Sequence, residues 1–142
     1  MTGDFSQRRD RAYRGASRML TGHGRAVAGR LGLQRYLPRM PAYVACARQV
    51  AAAIHDSGAG LTQPSPVHTN SFRVFLAAPA EALNVAVVEH AEATGEWTFP
   101  RDFRDTEVPG WAITEFVAGE ATLGWGPAEI ADLLGNLRDQ AC

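Results

Sequence analysis

The sequence predicts an α+β domain, a small sheet covered by helices mostly on one face. Three observations carry that expectation. Apolar residues recur at spacings of three and four in three long stretches, they alternate with polar ones in shorter stretches, and prolines and glycines stand at the joints. With 142 residues, 46% of them hydrophobic and 20% charged, the chain is large enough to bury the core of one domain.

The elements follow in order. Residues 1–25 scatter Arg, Gly and Ser without periodicity and are expected to form an Arg-rich leader of little order, with the domain proper over 26–142. Ala26 to Leu37 suits a short helical piece stopped by Pro38. The first strong helix runs from Pro41 to Asp56, where Met40, Tyr43, Ala47, Val50 and Ile54 share one face and Gly58 suits the exit. A turn-rich connection with a short strand at Leu61 leads to Phe72, Val74 and Leu76, whose alternation predicts a strand. Pro79 opens a second helix with Leu83, Val87, Val88 and Ala91 on one side, ended by Gly95. Trp97 to Phe99 reads as a strand, Pro100 to Gly110 as a charged loop, and Trp111 to Val117 as another strand. Pro127 starts the last helix, with Ile130, Leu133, Leu134 and Leu137 inward.

Charge is unevenly divided. Residues 1–39 hold nine of the fourteen arginines against only Asp4 and Asp10, while the rest carries five arginines against thirteen acids. A basic block can hold phosphate partners, but a poorly ordered leader packing on a partner is the preferred reading, and nucleic acid is not the expected partner. No run reaches the roughly 18 to 20 apolar residues of a membrane span, and no apolar segment with a small-residue cleavage site opens the chain. Two cysteines without pattern, Cys46 and Cys142, fit a reducing cytoplasm.

Chemistry-bearing patterns are sparse. Gly22-His23-Gly24-Arg25 lacks the third glycine and the preceding strand of a dinucleotide loop. His23, His55, His68 and His90 stand too far apart for a metal motif. Asp102, Asp105 and Glu107, with Arg101 and Arg104, read as the solvated charge of a loop rather than as a catalytic pair. No Gly-x-Ser-x-Gly elbow exists. Trp97, Trp111 and Trp125 lie near strand ends, where packing or a subunit contact outranks base stacking; Trp97, Phe99 and Trp111 are the aromatics expected on an exposed, associating surface. No catalytic, metal-binding or cofactor-binding residue is assigned.

Three stretches carry a resemblance: Leu37-Pro38-Arg39-Met40-Pro41-Ala42-Tyr43-Val44, the Thr69-Asn70 that opens a strand, and Gly119-Glu120-Ala121-Thr122-Leu123-Gly124-Trp125 before the last helix. Over roughly Ala26 to Leu137 the chain resembles the C-terminal small domain of the threonine aldolases and β-eliminating lyases, fold-type I enzymes that use pyridoxal phosphate (PLP). The resemblance implies PLP for the complete enzyme, cleavage of a Cα–Cβ bond or β-elimination in amino acids, and a large domain that supplies the Schiff-base lysine. This chain contains no lysine, so the resemblance implies no cofactor on the chain alone. It also implies a substrate-carboxylate arginine late in the chain; Glu115 or its neighbours stand there, and a carboxylate at that place repels the substrate's own. Arg73, on another strand, is a poor replacement. The resulting expectation is a truncated or split small domain of a cytoplasmic lyase, inactive alone, with a large PLP-binding domain or further copies of itself as partners. The alternative is a non-catalytic interaction module derived from that fold.

Overall fold

The structure is a computed structural model that describes residues 2–15, 18–19, 30–97, 99 and 101–142. Among the described residues, five α-helices and six strands follow in the order α1 (Thr2–Gly15), β1 (Arg18–Met19), α2 (Arg30–Tyr36), α3 (Met40–Ser57), β2 (Leu61–Gln63), β3 (Ser71–Leu76), α4 (Ala80–Thr94), β4 (Glu96–Trp97), β5 (Arg104–Asp105), β6 (Ala112–Val117) and α5 (Pro127–Ala141). Strands β2-β3-β6-β5 form an antiparallel sheet in that spatial order, with two short strands outermost. β1 and β4 form a separate parallel pair, Arg18 opposite Glu96 and Met19 opposite Trp97.

The predicted α+β class holds, and the alternation shows why. Phe72, Val74 and Leu76 of β3 and Ala112, Thr114 and Phe116 of β6 are buried on one face. Phe72 faces Phe116 in register, ring centroids 5.0 Å apart. On this face lie α3, α4 and α5, which contribute Val50 and Ile54, Leu83 and Val88, and Ile130, Leu134 and Leu137, all essentially without exposed surface. Each such side chain contributes roughly 1.5–3 kcal/mol by leaving water. The opposite strand positions, Arg73, Phe75, Ile113, Glu115 and Val117, remain at least partly exposed, so the second face of the sheet is open.

The helix ends follow their punctuation. Pro41 lies in the first turn of α3, and Gly58 closes the helix with φ 68°, a left-handed geometry that a side chain would disfavour. At the start of α4, which Pro79 precedes, the Ala80 amide donates to Asp105 Oδ1 at 2.9 Å, satisfying one of the donors a helix start leaves over.

Within the stretch 1–25, read as an Arg-rich leader, Thr2–Gly15 form a helix. The structure refines three expectations further along the chain. Trp97 to Phe99 was expected as a short strand; Glu96–Trp97 form one, paired with Arg18–Met19 apart from the four-stranded sheet. The charged loop from Pro100 to Gly110 contains β5, which pairs with Ile113 and Ala112 on the sheet edge. Trp97 and Phe99, expected on the surface, are 5% and 2% exposed, and the Trp97 indole donates to the Phe99 carbonyl. The Gly22-His23-Gly24-Arg25 stretch lies outside the described residues.

Candidate functional site

The open sheet face is where apolar surface and charge meet. Leu61, Phe75 and Ile113 come from three adjacent strands, Val108 and Trp111 from the β5–β6 turn, and together with Arg73, Asp105, Thr106 and Glu107 they line a broad, shallow depression. Leu61 is 51% exposed and Val108 58%, unusual for large apolar residues of a packed domain. Tight turning of this rim is enforced locally: the Trp111 amide donates to Val108 O and the Thr106 amide to Trp111 O.

Glu115 sits on this face, on β6. Its Oε2 lies 3.3 Å from Arg101 Nε, and Arg73 stands directly opposite in the β3–β6 register. Sequence separation set Arg73 apart, whereas sheet pairing places it beside Glu115. The carboxylate is therefore compensated by charge, and its neighbourhood is not the bare negative site that position alone implied. Asp102, Asp105 and Glu107 do not converge as a catalytic pair. Asp102 meets Arg9, Asp105 holds the start of α4, and Glu107 stays on the rim.

A second polar cluster joins two of the stretches that carry the resemblance. Tyr43 donates from its hydroxyl to Glu120 Oε2 at 2.6 Å, and the Arg39 guanidinium donates to Oε1. Burial, then the bond to Glu120, raises the phenol above its ordinary value of 10.0, so at neutral pH it is a donor and not a base. Thr122 Oγ1 donates to Gly119 O and accepts from Gly119 N, both at 2.7 Å. The cluster clamps the segment after β6 to α3; it sets no nucleophile against a base. Burial likewise pushes the Cys46 thiol up, which leaves it little thiolate.

Sequence reasoning missed the amides and one arginine that tie the loops down. Asn84 donates to Phe103 O and accepts from Phe103 N, Asn70 donates to Ala118 O, and Arg138 reaches Gly58 O and Ala59 O. No local pattern announces these bonds, because both partners of each lie far apart in sequence.

His68 is exposed, and His55 Nε2 lies 3.1 Å from Thr62 Oγ1. His90 differs: its Nε2 is buried without a hydrogen bond among the described residues, 3.9 Å from Glu96 Oε2. Burial lowers its pKa below the ordinary 6.5, partly opposed by Glu96. The unfolded chain therefore binds a proton at a higher pH than the fold does. His90 thus costs stability as pH falls below about 6.5, until its own lowered value is reached. His90→Gln is expected to flatten the acid side of the melting-temperature profile in that window; an unchanged profile would refute the assignment. Among the described residues, no group of three potential metal ligands occurs, and no helix is long and apolar enough to cross a membrane.

With this geometry in hand, comparison with known proteins gives a consistent picture. No protein-family model and no curated protein matches the sequence. Two solved structures do. One, from Exiguobacterium sp. 255-15, is described as an aromatic amino acid β-eliminating lyase/threonine aldolase; it shares 22% identity and a TM-score of 0.59 over 76% of this chain and 30% of its own. The other, described as an L-allo-threonine aldolase from Listeria monocytogenes EGD-E, shares 17% identity and the same TM-score over 78% of this chain and 30% of its own. The chain has the fold of a part of these lyase-type structures. It spans about 30% of the length of each.

The residues present do not fit PLP. A Schiff base needs a primary side-chain amine, and the chain has no lysine; guanidinium groups stay charged and do not replace it. On the open face, Asp105 and Glu107 share the depression with Arg73, an acid-weighted rim that a phosphate would avoid.

Proposed function

We propose that this chain is the C-terminal small-domain part of a cytoplasmic, PLP-dependent lyase of the threonine aldolase or β-eliminating type, acting on amino acids, and that it has no activity by itself. The cofactor-bearing part then lies outside these residues, on a large domain or partner chain. One observation carries the reading: a lyase-type fold that spans about 30% of the related structures comes without a single lysine. In a whole enzyme PLP would supply the electron sink for the chemistry at Cα. This chain's share is to present the open face, where Leu61, Phe75, Val108, Trp111 and Ile113 offer apolar area for a neighbouring domain or a further copy.

A second reading is an interaction module that kept the fold, and it is favoured by Glu115, in its ion pair with Arg101, at or next to the position where the resemblance implies a substrate-binding arginine. The first test is PLP and borohydride added to the purified chain. No stoichiometric adduct is expected beyond one on the terminal α-amino group, and a trapped side-chain adduct would overturn the claim of inactivity. The second is mixing the chain with a lysine-containing large domain of a threonine aldolase. Recovered aldolase or eliminase activity supports the lyase part; a stable complex without activity selects the interaction module.

A further inference from the structure

The open face of the four-stranded sheet carries a pattern that is complementary to itself. In the β3–β6 register Phe75 stands opposite Ile113 and Arg73 opposite Glu115. All four lie on the uncovered side, Arg73 exposed and the other three partly so. Two lines result. Leu61, Phe75, Ile113 and Arg104 cross the sheet in one, since β2 pairs Leu61 with Phe75 and β5 pairs Arg104 with Ile113. Arg73 and Glu115 form the line beside it. Glu115 takes its ion pair from Arg101 at 3.3 Å. On the other side of the apolar line, Val108 and Trp111 make the rim. Apolar surface of this kind, bordered by one cation and one anion, suits a contact better than water.

A second copy of the chain fits this pattern. A two-fold axis parallel to the strands and running between β3 and β6 lays one sheet on the other in the aligned manner of packed sheets, about 10 Å apart. The axis exchanges β3 with β6 and keeps the register. It therefore sets Arg73 of each copy over Glu115 of the other, and Phe75 of each over Ile113 of the other. The borders exchange as well, so Leu61 meets the aliphatic stem of Arg104. A two-fold contact requires a surface of this self-complementary kind. We propose that the chain forms a two-fold dimer through its open sheet face, with Phe75 and Ile113 at the centre and Arg73 of each copy paired with Glu115 of the other. On the proposed function's reading the open face serves a neighbouring domain or a further copy; in the chain by itself the copy takes it. The face is small, so the dimer is weak, with a dissociation constant on the order of 10–100 μM.

Sedimentation equilibrium on the full chain, across concentrations that span this value, tests the dimer. The parent is expected to pass from monomer to dimer. Arg73→Glu sets carboxylates against Glu115 of the other copy, and Glu115→Arg sets guanidinium groups against its Arg73. Each variant alone should dimerise roughly tenfold more weakly. Mixed in equal amounts, the two should associate about as tightly as the parent, since every pair across the axis is then opposite in charge. A change in folding would not produce that rescue, and substitutions on the uncovered side cost the fold little. Ile113→Lys, at the centre of the contact, should also give a monomer. A parent that stays monomeric throughout, a dimer that Arg73→Glu and Ile113→Lys leave intact, or a mixture that does not associate overturns the dimer. None of these outcomes touches the lyase reading, which the PLP trapping and the mixing with a large domain decide separately.

Discussion

Leu134→Asp is expected to leave the chain unfolded at room temperature. Leu134 has no exposed surface and stands on α5, which packs against both α3 and α4. The substitution forfeits the transfer free energy of the leucine, about 2–3 kcal/mol. It also places a carboxylate among apolar side chains, at a further cost of several kcal/mol or a forced protonation. Against a total stability on the order of 5–15 kcal/mol, the sum removes most or all of the margin. Val50→Asp, equally buried on α3, is expected to behave the same way. Asp102→Ala loses only the half-exposed pair with Arg9 and should cost less than about 1 kcal/mol. Circular-dichroism melts of the three variants decide it, and similar melting temperatures for all would sink the assignment of helix faces.

Gly60→Ala is expected to cost about 2–3 kcal/mol despite adding one methyl group. A Cβ at Gly60 would stand 2.5 Å from the carbonyl oxygen of Phe75 and 2.7 Å from Leu76 Cδ2. The leucine tip can turn away. The carbonyl cannot, because it belongs to the strand on which β2 pairs, Leu61 opposite Phe75. Relief therefore requires β2 to leave the sheet or β3 to shift within the core. Gly135→Ala on α5 is the contrast: nothing lies within 4 Å of its added carbon, and helix propensity favours alanine by about 1 kcal/mol. Denaturant unfolding of both variants should show midpoints moving in opposite directions. If Gly60→Ala melts with the parent, the close approach of β2 and β3 is wrong.

How much of this could be read from the chain depended on how local the cause was. The faces of α3, α4 and α5 were legible because Val50 and Ile54, Leu83 and Val87, or Ile130 and Leu134 repeat within one helix at its own period. β3 was legible because Phe72, Val74 and Leu76 alternate with Arg73 and Phe75. β5 was not, since Arg104–Asp105 is a strand only by its pairing with Ile113 and Ala112. Nor was the seat of α1, whose arginines find carboxylates on α4 and in the loop before β5. At the open face, sequence position identified Glu115 but could not supply Arg101 or Arg73, which arrive through a connection and a neighbouring strand. Solvation was the expected role of Asp105; the fold gives it a helix start instead.

The outermost strands of the sheet are three and two residues long, and this limits how molecules of the chain can join. A strand added from outside needs a row of free backbone donors and acceptors, and these borders offer only a bond or two each. Ribbon-like growth of sheet upon sheet, the route to fibrils, finds almost no template at the borders of this four-stranded sheet. From this sheet, contact between molecules is left to side chains on its face, where it is saturable and open to tuning by single substitutions.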